Sequence, residues 1–238
     1  MSVENGNEIN AEFFETISPV YDARTARDWK SPSAVAAKVK PLLGAKTKLL
    51  DFGVGTGAVL TALNGSVTQS NSFAVDVASG MIDVCRNKFP TANIRQITSA
   101  SEISTFGWPQ FDLILSSGVF EYIERIDSLL CVLKSLLNQF GELVFTYQPL
   151  VSHHPKQSDR VTKTPWTVDF AGSIGLSITH DIQAISYRWH AHEIHDLCWA
   201  AGLEIVQHES FVAYYDSGSD TTAIPRIYNL VRSKSRPS

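Results

Sequence analysis

The run Leu49-Leu50-Asp51-Phe52-Gly53-Val54-Gly55-Thr56-Gly57-Ala58-Val59-Leu60 restricts the folds open to this chain more than any other segment. An apolar stretch the length of a buried strand breaks into three alternating glycines and resumes as the apolar start of a helix. Glycine lacks Cβ, so it turns sharply at a strand end and lets backbone approach a ligand, while the following helix presents its positive end to an anionic group. Strand, turn and helix in this order open a βαβ unit, a right-handed element of parallel sheets that bind ligands at the carboxyl ends of their strands.

Two families share such a turn. Gly53, Gly55 and Ala58 fit the dinucleotide pattern G-x-G-x-x-G/A, with Asp76 at roughly the 20-residue distance of a ribose-binding acid. On that reading the chain is a nicotinamide-dependent oxidoreductase, yet it has no recognisable Tyr-x-x-x-Lys pair. Other features point elsewhere: Asp51 two residues before the first glycine, the third glycine at Gly57, the junction Phe73-Ala74-Val75-Asp76-Val77-Ala78-Ser79-Gly80-Met81, and the stretch Phe111-Asp112-Leu113-Ile114-Leu115-Ser116-Ser117-Gly118-Val119-Phe120-Glu121-Tyr122-Ile123. In this order and spacing they resemble the three motifs of the class I S-adenosylmethionine (SAM)-dependent methyltransferases. The likeness is good over residues 45–145 and holds only in outline on the flanks.

Periodicity supports the same architecture. Strands are expected near Lys48–Phe52, Ser72–Val77, Ile94–Thr98, Phe111–Leu115 and Glu142–Tyr147, with helices near Ala58–Leu63, Gly80–Lys88 and Ile126–Asn138. Helices are also expected at Ile9–Ile17 and Ser33–Leu43, the latter capped by Ser31 with Pro32 at the first helical position. A helix at Ala191–Ala201 and strands at Leu203–Phe211 and Arg226–Arg232 resemble the family's closing helix and antiparallel hairpin. The expected fold is therefore a Rossmann-like three-layer α/β sandwich with a mostly parallel seven-stranded sheet and an antiparallel last strand. Residues 1–44 would form N-terminal lid helices and residues 45–238 the SAM-binding domain. Between Gln148 and Arg188 the rhythm fails, and a long aperiodic segment in a compact domain is commonly functional, so about 148–188 is expected to be an acceptor-binding insertion.

Composition narrows the partners. A 238-residue chain with 44% hydrophobic and 18% charged residues can bury one sizeable core. A formal net charge of −4 gives no broad footprint for nucleic acid. No apolar run approaches the length needed to span a bilayer, and the N-terminus lacks the basic and apolar regions of a leader. Cys85, Cys131 and Cys198 lie in apolar helical patterns without a C-x-x-C pair, so they are expected to be small core residues in a reducing, cytoplasmic protein.

The resemblance implies SAM as methyl donor, S-adenosylhomocysteine (SAH) as product, and a small-molecule acceptor. Backbone N–H groups from Gly53 to Gly57, including Gly55 and Thr56, would meet the SAM carboxylate, and Asp51 its amino end. Asp76 would accept from both ribose hydroxyls, which one carboxylate can do through its two oxygens. Val77 and Met81 would sandwich adenine, and Tyr21 would belong to a lid. Ser99 stands where the family commonly has an acid against the adenine amine, so Ser99 and Ala100 are candidates there. Ser116 and Ser117 would pass beside the methionine portion. Leu115-Ser116-Ser117-Gly118 lacks the Asn/Asp-Pro-Pro-aromatic tetrad of enzymes that methylate base amines or glutamine amides. Tyr122 replaces the His of a Glu-His pair that helps some quinone-type enzymes bind metal, so no metal is expected.

Methyl transfer is an in-line displacement in which positioning supplies most of the rate and a general base adds about 10²–10⁴-fold where the nucleophile must lose a proton. His153, His154 and His190 are the catalytic candidates. His192 and His195, at i and i+3, have the spacing of a metal pair, but Ile194, Leu197, Cys198 and Ala201 define that helix's buried face. The function expected is methyl transfer to an O, N or C atom of a small molecule. A non-catalytic SAM-binding module and the oxidoreductase are the alternatives.

Overall fold

The computed structural model describes residues 3–25, 29–150, 166–169, 183–217 and 223–236. Its centre is a seven-stranded sheet of β1 (Leu49–Phe52), β2 (Ser72–Asp76), β3 (Asn93–Gln96), β4 (Phe111–Ser116), β5 (Leu137–Tyr147), β8 (Leu203–Ser217) and β9 (Ala223–Ser235). The strand order is β3-β2-β1-β4-β5-β9-β8, so the chain reverses direction across the sheet between β1 and β4. The first five strands are parallel, and β9 runs antiparallel to both β5 and β8. This is the expected sheet, with an antiparallel strand entering between β5 and β8.

Strands covered on both faces carry apolar residues at consecutive positions, which is why β1 and β2 are buried along their whole length. On one face Leu49, Ala74, Leu113 and Val144 pack against α3 (Ser31–Val39), α4 (Ala58–Leu63) and α5 (Ser79–Lys88). On the other, Leu50, Val75, Ile114 and Phe145 pack against α6 (Ile126–Leu136) and α7 (Ala191–Ala200). α6 shows why: Ile126, Leu129, Leu130, Leu133 and Leu136 recur at helical spacing and are all buried, with Asp127 in the first turn and Lys134 in the last. Each such leucine contributes about 1.5–3 kcal/mol by leaving water.

The N-terminal segment forms α1 (Val3–Ile17) and a short α2 (Tyr21–Thr25). α1 begins well before the expected Ile9. Its Phe13 and Ile17 form a third apolar cluster with Ala78 and Met81 at the start of α5 and with Ala184. Ala184 lies in β7 (Gln183–Ser186), which pairs antiparallel with β6 (Trp166–Asp169), so the insertion contains a two-stranded ribbon that its aperiodic sequence does not announce.

Two local expectations are corrected. Ser31 is not the cap of α3: Lys30 holds that position, and the Ser31 hydroxyl is buried against Ser117 Oγ (2.9 Å) and Thr146 Oγ1 (3.2 Å). Cys131 is exposed, whereas Cys85 and Cys198 are in the core as expected. Cys131 falls on the solvent side of α6 because the leucines at neighbouring helical positions take the buried stripe.

Candidate active site

The glycine turn closes at the carboxyl end of β1 with Gly53, Gly55 and Gly57 at φ 74°, 53° and 86°. Side chains at two of these positions would collide: a Cβ on Gly53 would stand 2.3 Å from Val119 Cγ2, and one on Gly57 2.7 Å from Phe89 Cε2. At Gly55 nothing lies within 4 Å, so the crest of the turn is open. The turn is tied internally. Gly53 N–H and Val54 N–H donate to Val75 O (2.9 and 3.0 Å), and Gly57 N–H donates to Val54 O (2.9 Å). Gly55 N–H donates to Asp76 Oδ2 (2.7 Å). The amides of Gly53, Gly55 and Gly57, expected to meet the SAM carboxylate, donate in this structure to β2 and to the turn itself.

Two carboxylates flank the turn. Asp76, at the end of β2, bridges Gly55 N–H and Ala78 N–H (3.0 Å) and so joins the two loops. Burial pushes its pKa up, against the pull of those amide bonds. Asp51 is 1% exposed, and its Oδ2 has no hydrogen-bond partner. Burial and the neighbouring Asp76 charge push its pKa well above the carboxylate range. An acid buried beside another acid, with one oxygen unpaired, fits a cationic, hydrogen-bonding group.

The N-terminal helices are fastened at two points, to this turn and to the start of α5. Asp22 of α2 accepts from the buried Thr56 hydroxyl (2.5 Å) and from Lys88 Nζ (2.5 Å), and Lys88 also donates to Thr56 O (3.0 Å). Glu15 of α1 receives Ser79 Oγ (3.0 Å) and Gly80 N–H (2.9 Å), placing a negative charge at the amino end of α5. Tyr21 packs in the cluster with Phe13, Ala78 and Met81.

At the carboxyl end of β4, Ser116 Oγ donates to Phe52 O (2.9 Å), locking β4 to β1. Ser117 joins Ser31, and Gly118 N–H donates to Thr146 Oγ1 (2.9 Å). A Cβ on Gly118 would stand 2.8 Å from the Trp29 ring and 3.8 Å from Glu121 Oε1. Glu121 is 1% exposed. It accepts from the Tyr228 hydroxyl at Oε1 (2.8 Å), which in turn receives Gln148 Nε2. Trp29 stands edge-on to Tyr228 with ring centroids 5.2 Å apart. Burial raises the Glu121 pKa to about 7, with Tyr228 and the Arg188 charge opposing the rise.

Residues 50–143 match a family model described as a methyltransferase domain. Over these residues the chain is similar to a methyltransferase domain. The malonyl-[acyl-carrier protein] O-methyltransferase of Paenibacillus sp. is 33% identical over 104 residues, 42% of this chain and 38% of that protein. Its Methylococcus capsulatus counterpart is 26% identical over 127 residues, 53% of this chain and 46% of that protein. The chain thus spans less than half the length of these curated relatives. Among solved structures, a SAM-dependent methyltransferase from Methanosarcina mazei superposes with a TM-score of 0.63 at 13% identity, covering 84% of this chain and 98% of that one. The magnesium protoporphyrin IX methyltransferase of Synechocystis, solved with bound SAH, gives 0.57 at 12% identity, covering 87% and 82%. At such identities the likeness is one of fold.

The fold gathers Asp51, Gly53, Gly55, Thr56, Asp76, Ser116 and Ser117 around the carboxyl ends of β1, β2 and β4. Val77 lies exposed at the rim, and Met81 is buried with Phe13 and Ile17 of α1. Ser99 caps the 3₁₀ turn Ala100–Phe106, its Oγ within 2.9 Å of Ser101 Oγ, and Ala100 packs against the core. His190 caps α7 in a reciprocal box with Glu193, which accepts its N–H (3.1 Å), and its ring stacks on His192. His195 bonds His208 (2.9 Å) rather than pairing with His192, because β8 runs beside α7. His153 and His154 lie outside the described residues.

The sequence reading passed over Glu15, Asp22 and the role of Glu121. The signal for Glu121 was present: an acid inside the otherwise apolar run Val119-Phe120-Glu121-Tyr122-Ile123 is costly to bury and is kept where it is paired or used. A depression lined by Lys46, Lys48, Gln110, Asp112 and Asn138 sits at the opposite, amino end of the strands, away from these groups.

Proposed function

We propose that the protein transfers a methyl group from SAM to a small-molecule acceptor. The observation that carries this reading is the pair of buried acids at the open glycine turn, Asp51 with an unpartnered oxygen and Asp76 across from it. The SAM ammonium suits the Asp51 oxygen, and the ribose hydroxyls suit the lone pairs Asp76 retains beyond its two amide bonds. Nicotinamide carries no ammonium to meet Asp51.

SAM supplies an electrophilic methyl on its sulfonium. The protein's share is alignment: Ser116 and Ser117 are small and tied back to β1 and α3, so the end of β4 leaves room for a nucleophile to approach. Trp29, Tyr228 and Tyr214 enclose that side with aromatic surface. The curated relatives named for malonyl-[acyl-carrier protein] align with 42% and 53% of this chain, so the acceptor is read from this aromatic enclosure and taken to be a planar small molecule.

Calorimetric titration with SAM or SAH tests the cofactor. Binding at micromolar dissociation constants is expected, weakened about tenfold or more by Asp76→Ala, since charge-assisted hydrogen bonds contribute about 1.5–3 kcal/mol. NADH binding in place of SAM, or unchanged affinity in a folded Asp76→Ala protein, overturns the reading.

A further inference from the structure

Resting on the proposed methyl transfer, the geometry points to Glu121 as its general base and to Arg188 as a second anchor, both acting on a planar acceptor whose phenolic or enolic hydroxyl stands beside a carbonyl or carboxylate oxygen. Glu121 is oriented through one oxygen only. Tyr228 donates to Oε1 and is itself fixed by Gln148, while Oε2 is buried without a partner. The carboxyl lies against Gly118 at the end of β4, beside the serines that flank the methyl donor on this reading. An unpaired carboxylate oxygen sealed from water accepts whatever donor arrives, and an acceptor hydroxyl is such a donor.

Arg188 complements it. The side chain is 8% exposed; one terminal nitrogen is held by Ser186 Oγ and Tyr187 O (both 3.1 Å), while Nε has no partner. Its charge acts on Glu121; Tyr122 and Tyr228 lie close to both groups, and Tyr214 lies close to Arg188. One buried unpaired acceptor and one buried unpaired donor of opposite charge, walled by tyrosines and Trp29, match a flat molecule bearing O–H and C=O side by side. In the step, the hydroxyl proton passes to Glu121 Oε2 as the acceptor oxygen forms its bond to the methyl carbon. The carbon–sulfur pair returns to sulfur, and Glu121 later releases the proton to water. A base titrating near 7 suits a phenol or enol and is of no use to a carboxylate acceptor, which carries no proton to remove.

The test takes protein saturated with SAH and titrates it calorimetrically with 2-hydroxybenzoate, benzoate and phenol as probes. 2-Hydroxybenzoate should bind at least tenfold more tightly than either single-function probe, and Arg188→Gln should remove that advantage. With SAM, mass spectrometry should find the methyl ether of 2-hydroxybenzoate, formed at a rate that rises with pH through about 7. Glu121→Gln should lower kcat by about 10²-fold or more with SAH affinity unchanged, and Glu121→Asp should restore part of it. Equal or absent binding of the three probes to the SAH complex, methyl ester from benzoate, or near-normal kcat in Glu121→Gln overturns the inference while leaving SAM-dependent transfer standing. Failure of the wild-type protein to bind SAH at all overturns both.

Discussion

Asp51 and Glu121 place opposite demands on the same fold. Each is buried as an acid whose ionised form the interior disfavours, and each is expected to ionise for function. When an ammonium meets Asp51, the charged form gains its missing partner, so SAM binding should release a proton. Calorimetry at neutral pH in buffers of different ionisation enthalpy should show this release, and Asp51→Asn should abolish it. For Glu121 burial raises the folded pKa to about 7, above the ordinary glutamate value of 4.5. An acid raised in this way contributes its full stability at low pH and loses it as pH rises through 7. Glu121→Gln, permanently neutral, should match the wild type near pH 4 and exceed it at pH 8 by on the order of 3 kcal/mol, since each pKa unit corresponds to about 1.4 kcal/mol. Urea denaturation at the two pH values checks this. Asp51 was legible in the sequence because its chemistry is local, two residues before a glycine turn that defines it. Glu121 was not, because Tyr228 reaches it from 107 residues away and Arg188 stands beyond an aperiodic segment.

Single elements divide in the same way. α6 could be drawn from its leucine spacing alone, and the Ala58–Leu63 helix matched residue for residue because the glycine turn fixes its start. The β6–β7 ribbon escaped notice because pairing between Asp169 and Gln183 is a relation between segments, not a pattern within either. Ser31 misled for a related reason: Ser-Pro before a helix signals a cap, but Ser117 and Thr146 compete for the hydroxyl in the folded core. The attachment of α2 to the glycine turn is of this long-range kind. The Asp22–Lys88 ion pair is half-exposed and contributes little, whereas the Thr56 hydroxyl is buried and loses its partner if Asp22 is removed. Asp22→Ala should therefore cost about 1–2 kcal/mol in urea denaturation. Hydrogen exchange should quicken across Val3–Thr25 while β1 to β5 keep their protection.

Taken whole, the molecule is a parallel α/β half with a strong local signature joined to segments assembled from distant pieces, which we propose as the acceptor side. The sheet, its order and the ligand end of its strands follow from alternation and the glycine turn, so the fold was readable and the acceptor side was not. The two sides should also separate by experiment. Because Asp169 faces Gln183 across an antiparallel pair, residues 170–182 can be replaced by Asn-Gly, a two-residue hairpin turn that preserves the ribbon. That variant should bind SAM within about threefold of wild type, in the range of ordinary surface-loop changes. It should lose acceptor turnover; unchanged turnover would mean that this segment does not hold the acceptor. The place of β9 between β5 and β8 matters during synthesis as well. Until that late strand leaves the ribosome, Glu142–Tyr147 present an unpaired edge, Glu121 lacks Tyr228, and Tyr147 lacks Asn229. A nascent chain can therefore form its glycine turn long before it can form the Glu121–Tyr228 pair, and a ribosome stalled within β8 would hold a chain with the proposed donor site in place and the proposed base still unset.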